Sequence, residues 1–386
     1  MSSVHAFARP AQGPEGQEHM PYLLTPGPLT TSRTVKEAML SDWGSRDIEF
    51  RAVIKEIRQQ LLALAGAAKG YECVLMQGSG TFAIEAVLGS LCTGKTLVVI
   101  NGAYGERAAK ILKHLDRSVA TIDLGDSRMA TPADVEAALK ADPAIVNVFI
   151  VHCETTSGVV NPIADIAKVA KQAGKTVIVD AMSSFGALPL DMEADGHDVM
   201  VSSSNKCIEG VPGFSYAIVR RDLLEASKGK CHSVVLDLHD QWSSMEKTAQ
   251  FRFTPPTHAL VAFHQALKEH GEEGGVEGRG ARYRMNRDVL VKGMREMGFE
   301  TLLGDDEAGP IIQTFLTPAD RKFDFERFYE GLRSRGFAIY PGKLTKRDSF
   351  RIGTIGKLDE AVMRGALSAI RDVLKEMGVI SMAPAA

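Results

Sequence analysis

The sequence predicts an α/β protein with a mostly parallel central sheet flanked by helices, followed by a smaller α+β unit at the C-terminal end. Three observations carry this expectation. From Tyr71 onward, short apolar runs without alternation recur, which suits strands buried on both faces. Between them lie stretches with apolar residues at helical spacing, the pattern of crossover helices. After GEEGGVEGRG the order changes to a long helix and then strand, helix, strand and helix.

The elements follow in order. MSSVHAFARPAQGPEGQEHM, rich in Pro, Gly and Gln, reads as a flexible extension over 1–20 and lacks the apolar core of a secretory signal. YLLTPGPLTTS is an extended, turn-rich lead-in, with Ser32 placed to cap a helix through VKEAML. Ile54, Ile57, Leu61 and Leu64 mark one face of a helix ending near Gly66. Strand and helix then alternate: ECVLMQ with TFAIEAVLGSL, TLVVIN with AYGERAAKILKHL, and SVATIDL with TPADVEAALKA, where Thr131 and Pro132 fit an N-cap and first helical residue. VNVFIVH with PIADIAKVAKQAG, TVIVDAM, VMVSSSN and FSYAIVRR complete the large unit. With 386 residues, two domains are expected: a large one over 21–268 that includes the lead-in, and a small one over 269–386. GEEGGVEGRG reads as a solvated hinge between them.

Composition narrows the function classes. A formal charge of −3 argues against nucleic acid as the main partner, without excluding a local basic pocket for a small anion. No apolar run reaches the roughly 20 residues of a membrane span. Five cysteines, none in a CxxC pair, fit a reducing cytoplasm better than a disulfide framework or a zinc site. His258 and His264 fall on different faces of a helix, and no metal site is expected.

Three segments carry chemistry. In QGSGTFAIEA, a Ser-Gly-Thr turn between strand and helix can hold an anion on backbone N–H groups, or serve as a plain helix cap. In VIVDAMSSFG, Asp180 ends a very apolar strand, so its carboxylate needs a cation or strong donors; a turn bonded to backbone amides is the alternative. In VSSSNKCIEGVPG, Lys206 follows another strand into a Gly/Pro-rich loop, where desolvation would make its amine a nucleophile; most lysines are simply solvated. Arg351 lies between Phe350 and Ile352 and needs an anion, either a substrate or a buried Glu.

Together with LLTPGP, FRFTPPTHAL, GFAIYPGKL and FRIGTIG, these blocks resemble the class V aminotransferases of pyridoxal-phosphate fold type I over nearly the whole chain. The resemblance implies that Lys206 carries pyridoxal 5′-phosphate and that Asp180 pairs with its pyridine nitrogen. It implies that Ser79, Gly80 and Thr81 hold the phosphate, with Ser204 or Asn205 close by and Thr254 reaching across a homodimer interface. Tyr104 would stack on the ring, Thr155 would sit near the ring hydroxyl, and Arg351 would grip the substrate's anion. Within the family the likeness is strongest to members that move the amino group of 2-aminoethylphosphonate to pyruvate, in phosphonate catabolism. An alanine– or serine–glyoxylate activity is the alternative. A cysteine desulfurase is disfavoured because the last cysteine, Cys231, precedes the small domain. A dinucleotide-binding protein is disfavoured because the glycine turn lacks its third glycine and the second strand ends in Asn101.

Overall fold

The computed structural model describes residues 20–67, 69–344 and 347–385, so the extension expected over 1–20 lies almost wholly outside the described residues. Among the described residues fourteen strands are formed: β1 (Tyr22–Leu23), β2 (Tyr71–Gln77), β3 (Lys95–Ile100), β4 (Val119–Asp123), β5 (Ile145–Val151), β6 (Cys153–Glu154), β7 (Val159–Val160), β8 (Thr176–Asp180), β9 (Val199–Ser203), β10 (Phe214–Arg220), β11 (Ile312–Leu316), β12 (Phe337–Ala338), β13 (Tyr340–Pro341) and β14 (Ser349–Gly353). Seven make the main sheet in the order β2-β10-β9-β8-β5-β3-β4. All neighbours are parallel except β10, which runs antiparallel to both β2 and β9.

Alternate residues of each strand feed opposite faces. Val177, Val179 and Met200 join one core with the helices Ile48–Leu64, Ile163–Gln172 and Thr257–Glu272. Ile178, Val199 and Val201 join the other, with Gly80–Leu91 and Ala103–His114. Because both faces are covered, most positions of the inner strands are apolar, which is why the runs lack alternation. The caps are also as expected. Ser32 accepts from Val35 N, and Thr131 with Asp134 forms a reciprocal capping box around Pro132.

The C-terminal part builds the three-stranded antiparallel sheet β11-β14-β13 over a phenylalanine-rich core that includes Phe299, Phe315, Phe328 and Phe350. The lead-in belongs to both parts. β1 pairs with β12, Leu24 is buried in the small core, and Leu29 packs beside Cys207 and Tyr283.

The GEEGGVEGRG stretch differs from its expectation. Helices Thr257–Glu272 and Gly275–Glu296 nearly abut, and most of the stretch is helical. Glu272 and Glu277 are exposed, but Glu273 and Arg279 are drawn into a buried network. Arg279 is 1% exposed; its Nε donates to Glu273 at 2.7 Å and its Nη1 to the Cys207 carbonyl. Arg282 donates to Glu273 at 2.6 Å, to Glu209 at 2.7 Å, and to the carbonyls of Gly356 and Leu358. Tyr283 adds a hydroxyl donor to Glu209 at 2.6 Å. Two carboxylates thus face two guanidiniums, which satisfies the charges locally and lets them be buried. Gly280 is required by close approach, since a Cβ there would collide with the Ala187 carbonyl.

Arg279→Leu leaves Glu209 and Glu273 with one cation fewer. The expected loss is about 3 kcal/mol of unfolding free energy, measured by urea denaturation; a loss within experimental error would show that the network is not strained by an unmatched charge.

Candidate active site

The C-terminal ends of β5, β8 and β9 open onto a cavity of about 250 Å³. Its lining includes Gly27, Ser79, Gly80, Thr81, Tyr104, Arg107, Asp180, Ser203, Asn205 and Lys206. Ligands gather at this edge in α/β sheets because strand ends and helix N-termini converge there.

Lys206 lies three residues beyond β9 in a turn closed by Glu209 N donating to the Lys206 carbonyl at 2.7 Å. Glu209 adopts a left-handed conformation (φ 65°), and the Arg282 and Tyr283 donors hold its side chain there. The Lys206 Nζ donates to the Pro26 carbonyl at 2.6 Å. Burial lowers its pKa below the ordinary lysine value. Gly27 has φ 108°, and a Cβ there would lie 2.7 Å from Lys206 Cδ, so only glycine lets the lead-in cross the lysine.

Asp180 ends β8 with one donor, Met182 N at 2.9 Å, and no ion-pair partner among the described residues. Burial pushes its carboxyl up to about 7. A carboxylate kept this far from neutralisation is suited to a cationic ligand atom such as a protonated ring nitrogen.

Ser79 is the N-cap of the helix Gly80–Leu91, and its hydroxyl makes no cap bond. Gly80 packs on Met182, which a Cβ would strike. The turn therefore presents a helix N-terminus and the Ser79 and Thr81 hydroxyls, the donor set an oxyanion needs. Arg107 was not singled out from the sequence. Its Nη1 lies 3.3 Å from Thr81 Oγ1, and its guanidinium stands 4.8 Å from the Tyr104 ring centroid. The available signal was its place one helical turn after Tyr104 in NGAYGER.

Glu154 was also missed. It is fully buried and accepts from Tyr104 N at 3.1 Å and from the Thr156 amide and hydroxyl at 3.1 and 2.7 Å. Burial raises its pKa. It caps the helix that carries Tyr104 and Arg107 and so fixes both. Tyr104 itself is below the ordinary phenol value: burial raises it, but the charge of Lys206, the Thr155 side chain and the charge of Lys343 together more than offset this.

Thr155 and Arg351 lie behind the cavity wall. Thr155 Oγ1 is buried, with no hydrogen bond of good geometry, and its side chain lies against the Tyr104 hydroxyl. Arg351 is 1% exposed on β14, with Nη1 donating to the Thr155 carbonyl at 2.7 Å and Nε to Pro341 at 3.0 Å. Among the described residues no Glu forms an ion pair with it: its hydrogen bonds go to carbonyls, and the buried Glu154 acts on it only through its charge. Ser204 is turned away, with its hydroxyl donating to the Val211 and Phe214 carbonyls, and Ser203 lines the cavity in its place. Alternation along a strand explains the exchange. Thr254 lines a separate depression with Arg46 and Arg252, where Gln77 donates to its carbonyl. Asp237, His239 and Asp240 cluster elsewhere, but Asp237 caps a helix and Asp240 pairs with Arg252.

A lysine amine, a buried strand-end carboxylate, an aromatic ring and a helix-end oxyanion cradle in one cavity fit a phosphorylated pyridine aldehyde. The chain belongs to the class V aminotransferases: the family pattern described as "Aminotransferase class-V" matches residues 32–345. Among individual relatives, it is 55% identical over 369 residues to a 2-aminoethylphosphonate–pyruvate transaminase of Rhizobium meliloti, covering 95% of this chain and 96% of that one. It is 52% identical to 2-aminoethylphosphonate–pyruvate transaminase 1 of Paraburkholderia xenovorans, covering 95% of each. In solved structures the same fold occurs in an alanine–glyoxylate aminotransferase from Nostoc (TM-score 0.86, 22% identity, 94% of this chain and 98% of that one). It recurs in a pyridoxamine–pyruvate aminotransferase from Mesorhizobium loti (TM-score 0.85, 23% identity, 96% and 95%).

The Asp180 carboxyl predicts a pH signature in the cofactor-free protein. Its pKa is about 7 in the native state and about 4 in an unfolded chain. Between those values the native state keeps a proton that the unfolded state has released, so this group's contribution to stability falls as pH rises through the window. Asp180→Asn removes that contribution. Urea unfolding at about pH 5 and about pH 8 should show a smaller loss of stability in the variant than in the parent; equal losses would contradict the assignment.

Proposed function

We propose that this chain moves the amino group of 2-aminoethylphosphonate to pyruvate, giving phosphonoacetaldehyde and L-alanine, with pyridoxal 5′-phosphate as cofactor. The observation that carries the substrate assignment is the 55% identity, over nearly the whole chain, to a relative of that name. Arg351 supplies a physical reason: a buried guanidinium hydrogen-bonded only to carbonyls is ready for an anionic substrate group.

The cofactor, when bound, supplies the electron sink that stabilises a carbanion. The residues do the rest. Ser79, Gly80 and Thr81 receive its phosphate, with Arg107 beside them and Asn205 on the same wall. Asp180 would keep the pyridine nitrogen protonated, Tyr104 would flank the ring, and Thr155 Oγ1 would answer the ring hydroxyl. Lys206, whose pKa is lowered by burial, would present its amine to the cofactor's aldehyde. Its Nζ would then be the base and acid of the proton transfer, taking the proton from the substrate's amine-bearing carbon and giving one back. The Pro26 carbonyl, 2.6 Å from Nζ, holds the amine on the cavity side.

Thr254 is proposed to act in a homodimer, reaching the phosphate cradle of the other copy. Phe82 and Phe253 support this, since both are exposed large apolar side chains, one beside the cradle and one beside Thr254. A cytoplasmic location is supported by five free cysteines. Among the described residues no helix is long and apolar enough to cross a membrane.

Purified protein given 2-aminoethylphosphonate and pyruvate should produce alanine. Activity with alanine or serine plus glyoxylate, and none with aminoethylphosphonate, would instead support the glyoxylate-type alternative. Lys206→Ala should lose both turnover and the visible absorbance of the lysine-bound cofactor; retention of both would refute the role given to Lys206. Thr254→Val should weaken cofactor retention on dialysis by about tenfold, as expected for one lost charge-assisted hydrogen bond, while sedimentation still reports a dimer.

A further inference from the structure

The small unit brings a second cation to the substrate side of Tyr104. The Lys343 Nζ stands 5.2 Å from the Tyr104 ring centroid. Among the described residues it has no ion-pair partner. Its placement is built in. Pro341, two residues earlier, accepts from Arg351 Nε at 3.0 Å, and Gly342 N donates to the Ser349 carbonyl at 2.9 Å. A Cβ on Gly342 would collide with Ser349, so the turn that presents Lys343 lies flat against β14. Lys343 and Arg351 are thereby fixed to each other through β13 and β14: the exposed Lys343 reaches the Tyr104 ring, while Arg351 lies buried behind the cavity wall on the Thr155 carbonyl. The charge of Lys343 is felt at Lys206 and at Tyr104.

The charges of the two substrates differ. A carboxylate has one negative charge and two oxygens, which a single guanidinium can pair. A phosphonate approaching full ionisation has two charges and three oxygens. Arg107 lies beside the phosphate cradle and is matched to the cofactor's own dianion, so the charges left for the substrate are those of Arg351 and Lys343.

We propose that Lys343 is a specificity-determining residue: with Arg351 it forms a two-cation seat for the phosphonate dianion and favours it over a carboxylate at the same place. This inference rests on the substrate assignment under Proposed function. An ammonium is a mobile point charge and suits the third oxygen that a planar guanidinium leaves over.

The test uses the cofactor-loaded enzyme and its variants Lys343→Met and Lys343→Arg. Steady-state kinetics give the KM for 2-aminoethylphosphonate and for pyruvate. Calorimetry gives dissociation constants for propylphosphonate and butyrate, which carry the two anions on the same chain without an amine to react. Lys343→Met should raise the aminoethylphosphonate KM and the propylphosphonate constant about tenfold. The pyruvate KM and the butyrate constant should stay within about twofold. Lys343→Arg should recover most of the difference. An active parent enzyme with an unchanged aminoethylphosphonate KM in Lys343→Met, or with equal losses for phosphonate and carboxylate, would overturn this inference alone. A parent enzyme inactive toward aminoethylphosphonate would instead overturn the substrate assignment on which it rests.

Discussion

Asp180 reaches the end of β8 with one backbone donor and no cation, and the surrounding architecture answers to that unbalanced carboxylate. A buried charge without a partner is costly, so the group is pushed toward its neutral form until a ligand supplies the missing positive charge. The neighbouring strand end delivers Lys206, whose own burial pushes in the opposite chemical direction, toward a free amine. Each group is held away from its ordinary ionisation state by the same cause. A ligand with a basic ring nitrogen and an electrophilic carbon relieves both.

The rest of the site is arranged around that pair by backbone geometry more than by side-chain chemistry. The parallel sheet aligns the ends of β5, β8 and β9, and a helix N-terminus beside them supplies donors for an oxyanion. Glu154, itself a buried carboxylate, is stabilised by the Tyr104 amide at the start of the helix Ala103–His114 and by the Thr156 amide, and in turn fixes Tyr104 and Arg107. Gly27 and Gly80 mark where backbone or cofactor-facing turns come too close to a neighbour for any side chain.

Much of this was legible in the sequence because strand periodicity and burial leave direct traces. Uninterrupted apolar runs announced the doubly covered sheet, and Asp180 and Lys206 stood out as polar residues at the ends of such runs. What escaped detection depends on contacts between distant segments. Arg107 and Glu154 look like ordinary helix and loop residues until β3, β5 and their helices are assembled. Ser204 and Ser203 are adjacent and chemically identical, so only strand phase separates the one bonded to Val211 and Phe214 from the one facing the cavity. GEEGGVEGRG was misread for a related reason. Its glycines and charges have the composition of a hinge, yet Glu273 and Arg279 neutralise each other in a buried network and Gly280 allows close packing against Ala187.

That interior network has a consequence for modular change. Arg282 bonds at once to Glu209 in the lysine turn and to the carbonyls of Gly356 and Leu358, just past the strand that bears Arg351. The cofactor half and the substrate half of the site are thus spliced by one guanidinium. Exchanging the small unit for that of another family member would succeed only if the incoming chain placed carbonyls where Gly356 and Leu358 now offer them. Otherwise the graft would strand donors in the interior, and the lysine turn would register the mismatch before any substrate arrived. Specificity in this scaffold is therefore best altered at side chains such as those of the β13–β14 turn, leaving the seam between the units intact.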